Sequence, residues 1–274
     1  MSRSFEGLTP YEGYEDVLLE RNNGVVVITL NRPEKLNAFT PGIRVSLKRI
    51  LDDVEFDDDA KVLVITGEGR AFGAGADLSS ADRMSEEYEP SNRHERLQSR
   101  FGWVSQMRTM NTPIIAAING VTAGGGMALA MACDIRICAD TARFVTGYNN
   151  IAVVPDVGAT WLLTHLVGPS RALKWFWTNE NVSSEEAYRT GLVDEVVPLA
   201  QLMERTMEIA TRIAEGPSIA LELTKRAVYK SLHLDLATHV DMELYLQGFT
   251  TDSEDRKEGG IAFREKRKPE YRGR

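Results

Sequence analysis

Runs of apolar residues separated by small or polar loops divide the first two thirds of the chain into short segments. "VVVITL" (Val25–Leu30) reads as a buried strand, and it ends at the loop "NRPEKLNAF", which carries Pro33. Thr40 then stands where a helix N-cap is expected, with Pro41 at the first helical position. Ile43, Leu47, Ile50, Leu51 and Val54 follow at helical spacing. "KVLVITG" (Lys61–Gly67), "TPIIAAING" (Thr112–Gly120) and "IRICA" repeat the strand pattern. Between them lie "EGRAFGAGADL", a loop dense in small residues, and "TAGGGMALAMACD", a turn entering a buried helix. Strands alternating with helices predict an α/β fold. Ser79 to Arg100 is polar and weakly patterned, either a mobile segment or an exposed helix. After Thr160 the pattern becomes helical. Ser183 and Glu186 are spaced as a capping box, with Gly191 as the stop. Further helices are expected over Leu199–Glu215, Ser218–Leu232 and Asp235–Gln247. The organisation expected is an α/β core over residues 1–195 and a helical region over 196–274.

Composition narrows the class. The 274 residues are 43% apolar and 26% charged, ordinary for a globular chain, and the net charge of −8 argues against nonspecific nucleic-acid binding. Cys133 and Cys138 both lie among apolar residues and read as reduced thiols, not a disulfide framework. No His/Cys spacing suits a metal, so none is expected. No apolar stretch reaches the ~20 residues of a membrane span, and the N-terminus lacks the pattern of a signal peptide. A cytoplasmic enzyme acting on a small molecule is the expectation. His94, His165, His233 and His239 do not pair in sequence with a Ser or Cys nucleophile.

The glycine loops are not nucleotide loops: "GAGAD" and "AGGG" lack both the GxxxxGK[ST] and the GxGxxG spacing. Two readings remain for them. Gly124–Gly126 could aim a free helix N-terminal N–H at a developing negative charge, with "GAGAD" as a second donor loop. Alternatively, the glycines permit close helix–strand packing. "VVPDVGATWLL" (Val153–Leu163) raises a parallel question, because Asp156 is well suited to cap the helix that follows.

Taken together, "LNRPEKLNAF", "GRAFGAGADL", "PIIAAINGVTAGGGMALAMACDIRICAD", "ARF", "VVPDVGATWLL", "VGPSRAL", "EEAYRTGLVDEVV" and "DSEDRKEGGIAFREKRKPEYRG" resemble the crotonase (enoyl-CoA hydratase/isomerase) superfamily. They run in family order from about Leu18 to Gly273. The resemblance implies a crotonase-like spiral of repeated ββα units with C-terminal helices that trimerise, giving a homotrimer or a hexamer. It also implies an acyl-CoA substrate, with no cofactor beyond the CoA that the substrate carries. The oxyanion donors carry over as the N–H groups of Ala76 and Gly125. Lys35, Leu36 and Ala38 fall on the CoA-facing loop, though Lys35 reads equally well as a solvated lysine. Ala74, Asp77 and Leu78 flank the expected path of CoA, and Phe263 and Lys266 are placed to reach the CoA of a neighbouring subunit.

The chain departs from the hydratase pattern at both glutamates. The first position, two residues after the glycine triplet, is Ala128. The second, four residues after Phe144 and seven before Pro155, is Tyr148. Hydration needs a paired acid and base, and neither position supplies one. Asp156 remains. Its "PDVGATWLL" setting resembles ring-opening and double-bond-shifting isomerases of the superfamily, and one carboxylate suffices for a 1,3-proton shift. The expected activity is therefore an enoyl-CoA isomerase with Asp156 as single acid/base and Tyr148 as an added contributor. The rivals are another reaction of the family (hydratase with relocated acid and base, hydrolase, decarboxylase, displacement) or CoA binding without turnover. Asn149 and Asn150 read as loop hydrogen-bonding residues in preference to contacts for a polar acyl group, and Trp103 and Trp161 as core in preference to the acyl-pocket wall.

Overall fold

The computed structural model describes residues 13–80 and 102–274. Two sheets carry the core. The larger has six strands: β1 (Val17–Asn22), β2 (Val25–Leu30), β3 (Val62–Gly67), β5 (Ile114–Ile118), β7 (Ile135–Ala139) and β10 (Glu195–Val197), adjacent in that order. Only the β1–β2 hairpin is antiparallel. The smaller sheet orders β4 (Ala71–Gly73), β6 (Val121–Ala123), β8 (Arg143–Val145) and β9 (Val182–Ser183).

A parallel sheet needs crossovers on its faces, so its strands are apolar on both sides. Along β2, β3 and β5, residues such as Val26, Ile28, Leu63, Ile65 and Ile114 join the main core. The alternate residues Val25, Val62, Val64, Ile115 and Ala117 face a second core closed by Leu202, Ala210 and Ala214 of α7 (Leu202–Ala214). This two-sided burial is why "VVVITL" and "KVLVITG" show no polar alternation.

The connections repeat one unit. A strand of the large sheet is followed by a strand of the small one and then a helix: β3, β4 and helix α2 over residues 102–109; β5, β6 and α3 (Gly125–Ala132); β7, β8 and α4 (Ala159–Val167). This is the repeated ββα unit that the family resemblance implies. The first helix, α1 (Pro41–Glu55), starts as read: Thr40 Oγ1 accepts from Ile43 N at 3.1 Å, with Pro41 at the first position. Its stripe of Ile43, Leu47, Ile50, Leu51 and Val54 is fully buried. The Ser183 cap of α6 (Ser184–Arg189) forms, but Glu186 turns its carboxylate to Arg189 and leaves the box half closed.

Helices α5 (Pro169–Thr178), α8 (Ser218–Ser231), α9 (Leu236–Thr251) and α10 (Glu254–Glu265) complete the chain. The sequence reading stopped α9 at Gln247 and missed α10, whose twelve residues contain Gly259 and Gly260. It also missed the two- and three-residue strands of the small sheet, which are too short to show a period. The segment read as mobile or helical, Ser79–Arg100, lies almost wholly outside the described residues, as does His94. Cys133 and Cys138 are free thiols, and burial pushes both up to about 12. Among the described residues no helix is long and apolar enough to cross a membrane, and no group of metal-ligating side chains occurs.

Candidate active site

The site begins with a loop that is hard to fold. Leu36 and Asn37 both adopt left-handed backbone, at φ 53° and 55°. Asparagine tolerates this conformation better than most residues, and here its side chain is also enclosed by partners. Asn37 accepts from Arg32 N at 2.8 Å and donates to Glu68 O and Ala71 O at 3.0 and 2.7 Å. The loop thus fixed brings Phe39 into a parallel bridge with Ala76: Phe39 N donates to Gly75 O at 2.6 Å and Asp77 N to Phe39 O at 3.1 Å. The bridge uses the Gly75 carbonyl and the Asp77 N–H on either side of Ala76, and among the described residues Ala76 N–H itself donates to no protein acceptor.

The second donor loop abuts the first. Gly125 opens α3, so its N–H belongs to the helix turn that has no internal acceptor. Gly75, at φ 82°, is so close that a Cβ there would stand 2.9 Å from Gly125 N and 3.0 Å from Ala123 O. A Cβ on Gly126 would instead collide with the carbonyl of Gly73. Gly126 thus allows close helix–strand packing, while Gly75 and Gly125 leave space beside the N–H groups of Ala76 and Gly125.

Ala76 and Gly125 line one cavity of about 170 Å³. Phe39, Trp103, Ile151, Val153 and Val157 form its apolar wall, with the Trp103 ring edge-on to Phe39 at 6.4 Å. Three polar side chains share that wall: Arg44, Tyr148 and Asp156. Trp161 lies elsewhere, stacked on His165 at 3.9 Å.

The turn that carries Asp156 is strained. Val157 and Gly158 are consecutive left-handed residues, at φ 54° and 73°. A β-branched residue rarely takes that conformation. The turn also answers the capping question. The N-cap of α4 is Gly158, with no side-chain cap, and Asp156 contributes only its backbone carbonyl, to Ala159 N at 2.9 Å. Its carboxylate remains with the cavity.

Burial raises the Asp156 carboxyl above its usual range, opposed by the Arg44 charge and the Tyr148 hydroxyl. The carboxylate is still reached by solvent at the cavity mouth, so this desolvation is partial. Tyr148 is buried, 7% exposed, with its ring tilted on Phe176 at 6.2 Å. Burial first, then the Asp156 carboxylate, pushes its phenol upward. The two groups feel each other at a separation or angle just short of an ordinary hydrogen bond, because Tyr148 Oη has no partner of standard geometry.

The other residues singled out in the sequence divide. Ala74 and Leu78 line the same cavity. Asp77 does not: its buried carboxylate pairs with Arg32 at 3.0 Å and accepts from Ser79 N and Oγ at 2.9 and 2.6 Å. Ser79 first, then Arg32, holds it below the usual carboxylate range despite its burial. Leu36 and Ala38 contribute backbone carbonyls to the loop, accepting from Ala74 N and Arg32 Nη1 at 3.0 Å each, while Lys35 is exposed beside them. Phe263, 86% exposed, and Lys266, the left-handed cap of α10, stand off the cavity of this single chain. Ala128 is fully buried within α3. Asn149 donates to Trp177 O and Asn150 accepts from Asn179, both at 2.8 Å, which is the loop bonding expected. Arg44 was missed, although a cation in the first turns of a helix with no acidic residue there is out of keeping with the dipole.

Comparison with known proteins gives a consistent result. The sequence model of the enoyl-CoA hydratase/isomerase family matches residues 20–274. The chain is 35% identical over 262 residues to the 1,2-epoxyphenylacetyl-CoA isomerase of Escherichia coli, covering 95% of this chain and 99% of that protein. It is 34% identical over 262 residues to the short-chain-enoyl-CoA hydratase of Clostridium acetobutylicum, covering 93% and 97%. The crystal structure of an enoyl-CoA hydratase from Bacillus anthracis superposes with a TM-score of 0.87 at 34% identity, over 95% of this chain and all of that one.

Proposed function

The chain belongs to the enoyl-CoA hydratase/isomerase family, and within it we propose an acyl-CoA isomerase that moves a double bond with Asp156 as its single acid and base. One observation carries the reading. Among the described residues, Asp156 is the one carboxylate on the wall of the cavity that Ala76 and Gly125 also line. Ala128 and Tyr148 stand where the resemblance places the two glutamates of hydration. The 35% identity to an isomerase supports the choice, and the similar identity to a hydratase makes water addition the rival to test.

With a 3-enoyl thioester, the Asp156 carboxylate removes a proton from the α carbon. The electron pair delocalises onto the thioester oxygen, which the Ala76 and Gly125 N–H groups hold as a dienolate. Donors fixed before the charge develops need no reorganisation. The carboxylic acid then returns the proton to the γ carbon, and the double bond ends between the α and β carbons. A raised carboxyl suits both halves, since one group must take and give the same proton. No cofactor enters beyond the CoA of the substrate, whose path we assign to Lys35, Leu36, Ala38, Ala74 and Leu78. Phe263 and Lys266 would act from a neighbouring subunit of a homotrimer or hexamer. That assembly would cover the apolar side chains exposed on α9, among them Leu236, Leu244, Tyr245 and Phe249.

The test is isomerisation of a 3-enoyl-CoA in deuterated water, with wild type and Asp156→Asn compared. The expected result is double-bond migration with deuterium exchange in the wild type and a loss of about 10²–10⁴-fold in the variant. Net addition of water, or isomerisation left intact in Asp156→Asn, would overturn the reading.

A further inference from the structure

We propose that the acyl group handled at this site carries a neutral oxygen (an ether, carbonyl or hydroxyl), and that Trp103 and Tyr148 select it through hydrogen bonds from their indole N–H and phenol O–H. The inference rests on the cavity beside Asp156 being the acyl site.

Among the described residues, three side chains bury a polar atom and have no hydrogen-bond partner at all: Trp103 at Nε1, Tyr148 at Oη and Thr206 at Oγ1. Gln106, Arg108, Asn119 and His239 also bury an unpaired atom, but each places another atom on a partner. Thr206 belongs to α7, off the cavity, whereas Trp103 and Tyr148 both line it. Their exposures are 1% and 7%. Buried tryptophan and tyrosine normally find a partner for their N–H or O–H. Here solvent does not reach either atom, so water is not that partner. The Asp156 carboxylate, near Tyr148, stands outside hydrogen-bond geometry and leaves the phenol unsatisfied. Two unsatisfied donors on one wall point to an acceptor that arrives with the ligand.

The rest of the wall narrows what brings it. An indole N–H donates only, and the phenol stays protonated because burial first, then Asp156, pushes it upward. The matching feature is therefore an acceptor. Asp156 on the same wall would repel an anionic one, so the oxygen is neutral. Phe39, Ile151, Val153 and Val157 offer no side-chain hydrogen bond, so the remainder of the acyl group is apolar. In a wholly apolar pocket, an oxygen in place of a methylene weakens binding, because it leaves water and gains nothing. In this cavity the donors are already without water, and the incoming oxygen restores a bond to both sides, so the sign reverses. Contacts of this kind are often long or misaligned in a free enzyme and close only with substrate bound. A site built on donors also separates oxygen from carbon more sharply than an apolar pocket separates sizes.

The experiment compares 3-octenoyl-CoA with analogues in which an ether oxygen replaces the sixth or the seventh carbon, using wild type, Tyr148→Phe and Trp103→Phe. The readout is the ratio of kcat/KM for ether over hydrocarbon within each protein, which cancels any loss common to both substrates. Wild type is expected to favour at least one ether by about tenfold, and each variant to lower that ratio. If Trp103→Phe is not obtained folded by circular dichroism, Tyr148→Phe, which removes a single oxygen atom, carries the comparison. Hydrocarbon handled as well as or better than both ethers by wild type, or an ether preference that neither variant lowers, overturns the proposal. Calorimetric binding of octanoyl-CoA and its two saturated ethers gives the same ratio without turnover. Tighter binding of an ether with no isomerisation of any 3-enoyl substrate removes the isomerase reading and leaves the selection of oxygen standing. Isomerisation of all three substrates without an ether preference removes the selection alone.

Discussion

Replacing Gly75 by alanine tests the oxyanion site with one methyl group. The added Cβ would lie 2.9 Å from Gly125 N and 3.0 Å from Ala123 O, with Gly124 Cα at 3.4 Å, all backbone atoms that cannot swing aside. Something must shift, and the N–H of Gly125 is in the path. Losing one such donor costs ~2.7–4 kcal/mol of transition-state stabilisation, about 10²–10³ in kcat. A second cost falls on folding: at φ 82° an alanine is in the left-handed region, which disfavours it by ~1–2 kcal/mol. The two effects separate by measurement. Steady-state isomerisation should show the fall in kcat, while thermal unfolding drops by only a few degrees. Gly126→Ala is the control, because its Cβ would meet the Gly73 carbonyl, so stability should suffer there first. A folded Gly75→Ala enzyme with kcat within about threefold of wild type, under ~1 kcal/mol in barrier, would refute the two-loop oxyanion site.

Two further perturbations probe what holds the site. Asp77 has its carboxyl lowered by Ser79 and Arg32, so its stabilising contribution is complete above the unfolded value near 3.8 and disappears as pH falls through the lower folded value. Urea unfolding of Asp77→Asn should therefore show lower stability than wild type at neutral pH and a difference that closes below that value; a constant difference across pH would refute the linkage. Val157→Gly relieves a left-handed valine but frees the unfolded chain, so the two effects, each ~1 kcal/mol, nearly cancel in stability. Its kcat should nevertheless fall, since the turn would no longer fix the Asp156 direction, and unchanged kcat would show that the strain serves only the chain path.

The sequence exposed those parts of the molecule in which one interaction dominates over many residues. The two-sided strands β2, β3 and β5 and the buried stripe of α1 follow from apolar spacing alone, and Thr40 and Ser183 announce their helices through one hydroxyl each. The strands β4, β6, β8 and β9 have two or three residues. They exist because neighbours in space pair with them, which no local window records. The candidate site was legible through motif resemblance alone, since the donors proposed at Ala76 and Gly125 are backbone N–H groups that any residue type could supply. Asp156 illustrates the limit: its residue type and position fit a helix cap, and only the left-handed Val157–Gly158 turn, which moves the N-cap to Gly158, releases the carboxylate. Arg44 was hidden because only the fold brings it to the cavity it shares with Asp156, more than a hundred positions away.

The charge balance of the cavity ties these features into one argument. In a site with two neighbouring carboxylates, each raises the other, and their protons leave in coupled steps that belong to the pair. Here the positions that would supply such neighbours hold a methyl group, Ala128, and a phenol, Tyr148. Among the described residues, burial raises the Asp156 carboxyl, and a cation and a hydroxyl oppose it. The fixed charges on the described wall are one positive and one negative, so negative charge developing on a thioester oxygen meets two N–H donors and no net anionic field from these side chains. Once Asp156 has taken the proton it is neutral and adds no negative charge to the cavity wall. A single carboxylate in this setting should titrate as one group, giving the acidic limb the slope of one proton.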